Sequence, residues 1–285
     1  MRNRLLVLRT FFIVFALCLP AAAFAQQTLT IFVGAASKPA TEEAIKLFEK
    51  ETGVAVDVSF GGSGFVLSQM VLARKGDIYF PGSSDYMEKA KKEGHVYPDT
   101  EKVIVYLVPA INVQKGNPKN IKTLRDLIRS GIKVAIANPQ GVCVGAYAVE
   151  IIENNFTPAE RKKILGNLIN YTGSCSKTAS AISLKTVDAV IGWRVFEYWD
   201  PDRIETIPLQ PTEISRIGYI PLAISTFTKQ RQLAQEFIDF MLSDKVKAIF
   251  RKYSYFMTPE EAETWIGVKK PVGGQYTVPP SWLSQ

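Results

Sequence analysis

Short runs rich in Val, Ile and Phe alternate with amphipathic stretches from residue 29 to residue 253, and this alternation limits the folds open to the chain. Strands are expected at residues 29–33, 54–60, 78–80, 103–112, 134–137, 169–171, 189–191, 204–208 and 217–225. Helices are expected at 41–50, 65–75, 84–93, 124–128, 145–154, 158–165, 177–183 and 229–253. Strands interleaved with helices of this length form mainly parallel sheets covered by helices. Two longer apolar strands, 103–112 and 217–225, interrupt the rhythm and bracket a block large enough to fold around its own core. The economical plan is an α/β fold of two lobes joined by two crossing strands. Lobe one takes residues 26–106 with 221–285, and lobe two takes 107–220. Such a hinge lets the lobes close on a ligand. The tail 269–285 carries Pro271, Gly273, Gly274, Pro279 and Pro280 and reads as an irregular strap on lobe one, pinned by Tyr276 and Trp282.

The first 25 residues read as an export signal. Arg2, Arg4 and Arg9 precede an apolar stretch from Leu5 to Leu19, and Ala23-Phe24-Ala25 supplies the small-x-small cleavage pattern. The mature chain is expected to begin near Gln26, soluble and exported, and loss of the three arginines lowers the formal charge from +7 to +4. Basic residues occur only in short pairs such as Lys91-Lys92, so nucleic acid is not an expected partner. Cys143 and Cys175 remain after cleavage, as a pair or as buried thiols. With one histidine and no further soft ligand beside either cysteine, no metal site is expected.

Four strand-to-helix turns carry the chemistry. Gly34-Ala35-Ala36-Ser37 and Gly61-Gly62-Ser63-Gly64 each lie between an expected strand and helix in lobe one. In lobe two, Asn138 to Gly145 and Thr172 to Lys177 have the same setting. Such turns expose the free N–H groups and positive dipole end of a helix, a site for an anion that needs no cationic side chain. Each turn alone reads first as an ordinary helix cap. Ligands of open α/β sheets bind beyond the carboxyl ends of the strands, where all four turns lie. Enzyme chemistry finds little support: His95 is the only histidine, and Gly61-Gly62-Ser63-Gly64 lacks both the nucleophile-elbow and phosphate-loop spacings.

These residues resemble the periplasmic molybdate/tungstate-binding proteins of ABC importers, which have the type II periplasmic binding protein fold. The likeness runs over nearly all of the mature chain. It rests on Gly34-Ala35-Ala36-Ser37, Phe60-Gly61-Gly62-Ser63, Gly76-Asp77-Ile78-Tyr79-Phe80, Asn138-Pro139 and the helix Ala248 to Tyr253. The resemblance implies hydroxyl and amide donors from Ser37 and Ser63, an amide from Val144, and another from Ser174 or Cys175. It implies a tetrahedral oxyanion ligand (molybdate or tungstate), an importer permease as partner, a periplasmic monomer, no cofactor and no catalysis. The departure is at Gly192-Trp193-Arg194, where many members place a ligand-binding tyrosine near the glycine. Trp193 reads as core. Arg194 either faces the anion as a charged fork or forms an ion pair at the surface or between lobes. In the first case sulfate, phosphate or a small carboxylate is the alternative ligand; an exported enzyme on the same fold is the remote one. Cys143 and Cys175 fall in the two lobe-two loops, so a disulfide is expected to tie them, with buried free thiols as the other outcome.

Overall fold

The computed structural model describes residues 27–283, and the export signal read in residues 1–25 lies outside them. The chain forms an α/β protein of two five-stranded mixed sheets flanked by helices. The first sheet has the order β2-β1-β3-β10-β4, from Ala55–Gly61, Thr28–Gly34, Ile78–Phe80, Gly218–Ile224 and Lys102–Leu107. The second has the order β7-β6-β8-β5-β9, from Leu168–Thr172, Val134–Ala137, Ala189–Trp193, Pro109–Gln114 and Ile204–Ile207. In each sheet a parallel trio is extended by antiparallel strands: β1 lies parallel to β2 and β3, and β6 lies parallel to β7 and β8.

Helices α1 (Lys38–Thr52), α2 (Ser63–Ala73) and α3 (Ser84–Lys92) follow β1, β2 and β3. Helices α4 (Cys143–Asn155) and α5 (Pro158–Asn167) follow β6, α6 (Cys175–Ser183) follows β7, and the short α7 (Phe196–Trp199) follows β8. The chain finishes with α8 (Arg231–Met241), α9 (Asp244–Lys252) and α10 (Pro259–Ile266). Local chemistry sets several ends. Pro39 stands in the first turn of α1, and Gly53 ends that helix in the left-handed conformation at φ 72°. Thr157 and Glu160 cap each other's amides at the start of α5.

The expected strand 103–112 is two strands in different sheets. Val108 marks the break and Pro109 starts β5, so this segment is itself a crossing between lobes. The expected helix 229–253 is likewise two, because Ser243 adopts an extended conformation and a new helix starts at Asp244. One apolar cluster runs through the first lobe and continues across the seam to Val142, Cys143, Tyr147, Cys175 and Trp193. A second fills the far side of the second sheet and takes in Ala262, Ile266 and Trp282. The tail therefore spans both lobes rather than lying on lobe one alone. Ser84 Oγ donates to the Gly274 carbonyl, the Tyr276 amide donates to Asp85, and Trp282 Nε1 donates to Glu153 of α4 at 2.8 Å.

Candidate functional site

The carboxyl ends of β1, β2, β6 and β7 deliver four helix starts to one place. The Gly82 amide donates to Ser63 Oγ at 2.9 Å. A β-carbon added to Gly82 would lie 2.6 Å from Ala36 Cβ and 2.8 Å from Cys143 Sγ, so the β3–α3 turn is wedged between the lobe-one turns and the start of α4. Cys143 in turn meets Cys175, and α6 packs against residues 35–37. The Gly64 amide donates to the Gly141 carbonyl at 2.9 Å, and the Tyr86 hydroxyl reaches the Pro139 carbonyl at 3.5 Å. The two lobes are thus shut over these turns.

Ser37 and Ser63 are both buried. Each hydroxyl oxygen already accepts a bond, Ser37 from Thr41 Oγ1 at 2.9 Å and Ser63 from the Gly82 amide. A serine carries one proton and two lone pairs, so a serine held as an acceptor has its proton left to donate. Tyr79 further fixes the turn by donating to the Ser63 carbonyl at 2.9 Å. The two hydroxyls are therefore preset as donors. Asp77, in the Gly76-Asp77 motif, has a structural task instead: it accepts from the Thr30 amide and the Thr228 hydroxyl, tying β1 to the segment after β10.

Both lobe-two helices begin two residues earlier than the sequence pattern suggested, which makes Cys143 and Cys175 their first residues and Val144 the second of α4. Amides of a first turn lack intrahelical partners. Ser174 caps α6 and accepts from the Lys177 amide. The four helices aimed at this place, α1, α2, α4 and α6, carry no Asp or Glu in the first turn. By contrast α3, α5, α7, α9 and α10 each carry at least one, and of the rest only α8 does not. The positive ends at the site are therefore not offset by acids of their own first turns.

The thiols of Cys143 and Cys175 are 3.6 Å apart and free, so the expected disulfide is not formed, although the two loops do meet as anticipated. An S–S bond would need about 2.05 Å. Burial, with Cys143 beside it, pushes the Cys175 thiol well above its usual range, against the smaller pull of the Val144 amide and the Trp193 indole. The Cys175 sulfur therefore adds bulk and a weak donor but no negative charge.

The structure does not bring Arg194 to the serines. Its guanidinium lies 4.2 Å from the Phe256 ring centre and 5.5 Å from that of Trp265, contacts Tyr198, and donates to the Ser254 carbonyl. Burial lowers its pKa, and aromatic faces rather than a carboxylate hold the charge. The residue that sequence reasoning missed is Arg216. It donates to Asp85 of α3, to Glu150 of α4 and to the Gly274 carbonyl at 2.9 Å, and sits 3.9 Å from the Tyr147 ring centre. Burial opposes its charge, but Tyr147, Asp85 and Glu150 together raise its pKa above the ordinary value. No motif in the sequence joins three residues so far apart. A surface cavity of about 530 Å³ opens nearby between α3, residues 139–140 and the tail, but neither serine lines it.

A family model described as bacterial extracellular solute-binding protein matches residues 29–256. A protein of Haemophilus influenzae, named as a binding protein, is 27% identical over 218 residues, covering 75% of this chain and 85% of its own. Among solved structures, the Azotobacter vinelandii periplasmic molybdate-binding protein superposes with a TM-score of 0.69 at 18% identity, over 81% of this chain and 99% of that one. The sulfate-binding protein SubI of Mycobacterium tuberculosis does so with a TM-score of 0.69 at 17% identity, over 87% and 93%. The shared architecture is that of two-lobe periplasmic binding proteins.

Proposed function

Because the chain belongs to the family of bacterial extracellular solute-binding proteins, we propose that it captures a tetrahedral oxyanion, molybdate or tungstate, between its lobes. In this reading it is exported to the periplasm and hands the anion to the permease of an ABC importer, with no chemistry done on the ligand. Ser37 and Ser63 donate their hydroxyl protons and amides. Val144 and the Ser174–Cys175 turn donate amides from the other side. The observation that carries the reading is the pair of buried serines, each held as an acceptor so that its proton is free, at the meeting of four helix starts that lack their own acids.

These groups all donate. They suit a fully deprotonated dianion, whereas hydrogen phosphate brings a proton that the amides cannot accept and for which each serine has only one lone pair left. Arg194 is held among aromatic rings, which weighs against the alternative built on it. Sulfate is the remaining rival, having the same charge at smaller size, and a sulfate-binding protein shares the fold. Thermal-shift titration of the mature protein with molybdate, tungstate, sulfate and phosphate tests the reading. Molybdate at a hundred times its Kd would stabilise the protein by about 2.7 kcal/mol, and Ser37→Ala with Ser63→Ala would abolish the shift. A shift with sulfate and none with molybdate or tungstate would sink the assignment.

A further inference from the structure

Trp193 closes β8, the strand beside β6, so it stands at the same sheet edge as the starts of α4 and α6. It is fully buried, and its indole N–H has no hydrogen-bond partner. Leaving a buried donor unmade costs about 1–3 kcal/mol, so such a group calls for an explanation. The ring packs edge-on against Tyr147, with centroids 4.8 Å apart. Its benzo edge abuts Gly218, where Cη2 lies 3.2 Å from the place a β-carbon would take. The N–H edge is the one near the Cys175 sulfur, close enough to pull that thiol's pKa down. The unmade donor therefore stands at the first turn of α6, beside the Val144 amide that acts on the same sulfur.

Trp193 does not stand alone among buried groups without a partner: Ser83 Oγ lies beside Gly82 in the β3–α3 turn, and unlike an indole a hydroxyl can turn either to donate or to accept. The Tyr147 hydroxyl lies against Gly218 at the hinge, on the face toward Arg216, and Ser243 precedes α9. An indole N–H donates and cannot accept. We infer that Trp193 Nε1–H is a further donor to the bound anion, joining Ser37, Ser63 and the lobe-two amides, and that it helps restrict the site to deprotonated oxyanions. This rests on the oxyanion-binding reading above.

The test is a ¹H–¹⁵N spectrum of the labelled protein with and without molybdate, reading the four indole resonances. The Trp193 signal is identified by its absence from W193F, or by its through-space contact with Tyr147 if that variant does not fold. Binding should move the Trp193 signal while that of Trp282, whose N–H already donates to Glu153, stays in place. W193F, which keeps a ring and loses the N–H, should bind molybdate about tenfold or more weakly. Tight binding of molybdate with an unmoved Trp193 signal and an unimpaired W193F overturns the inference and leaves the function standing. If neither molybdate, tungstate nor sulfate binds the wild-type protein, both fall.

Discussion

In the proposed site the two sides of the cleft contribute different kinds of donor. The lobe-one side offers side-chain hydroxyls, Ser37 and Ser63, each oriented by a neighbour that occupies its oxygen. The lobe-two side offers main-chain amides at the starts of α4 and α6, flanked by two thiols and an indole. Hydroxyl donors can be removed by one substitution. Amide donors persist under every substitution but proline, and otherwise only a change in backbone path removes them. Selectivity held in hydroxyls is therefore easy to alter by mutation, and selectivity held in amides is not.

The largest expected effect lies where the two sides are stitched together. Arg216→Met would leave Asp85 and Glu150 buried without their cation, costing roughly 3–5 kcal/mol of stability in denaturant unfolding. A loss below about 1 kcal/mol would mean that the carboxylates find other partners and that the stitch is dispensable. Next comes Gly62→Ala. Its new β-carbon would lie 2.6 Å from the Gly141 carbonyl oxygen across the seam, while the φ of −65° at Gly62 suits alanine. The variant should fold normally and bind the anion about tenfold or more weakly, since closure is what completes the donor set. Unchanged affinity by calorimetry would show that the lobes close in another way. The smallest effect is expected for Val144→Ala: stability falls as a buried side chain is trimmed, yet affinity stays within about threefold because the amide remains. A loss as large as that of Ser37→Ala with Ser63→Ala would break the contrast between hydroxyl and amide sides.

Much of this arrangement is legible in the sequence, for physical reasons that differ by residue. Strand periodicity and small-residue turns are local properties, so the parallel trios and the Ser37 and Ser63 turns can be read directly. The start of α4 is harder to place, because its cap position holds Val142, which gives no capping signal; α6 has one in Ser174, but both helices begin before their apolar pattern does. Helix α10 had a readable signature, Thr258-Pro259-Glu260-Glu261 before and Gly267 after, with Thr258 accepting from the Glu261 amide. Its end in the left-handed conformation, φ 88°, is the role glycine serves after a helix. The partners of Arg194 and Arg216 are not readable from the chain. Spacing along a sequence does not say which of two buried arginines meets carboxylates and which meets aromatic rings.

The path of the tail changes the mechanics of the molecule. Two lobes joined only by the β4–β5 and β9–β10 connections can swing apart and also twist about one another. Here the chain crosses again between Tyr255, packed in the first cluster, and Ala262, packed in the second, and its tail then runs from α3 to α4. A third crossing adds a constraint that two strand connections alone lack, tying α3 to α4 through the tail and so fixing how the four helix starts are aligned with one another.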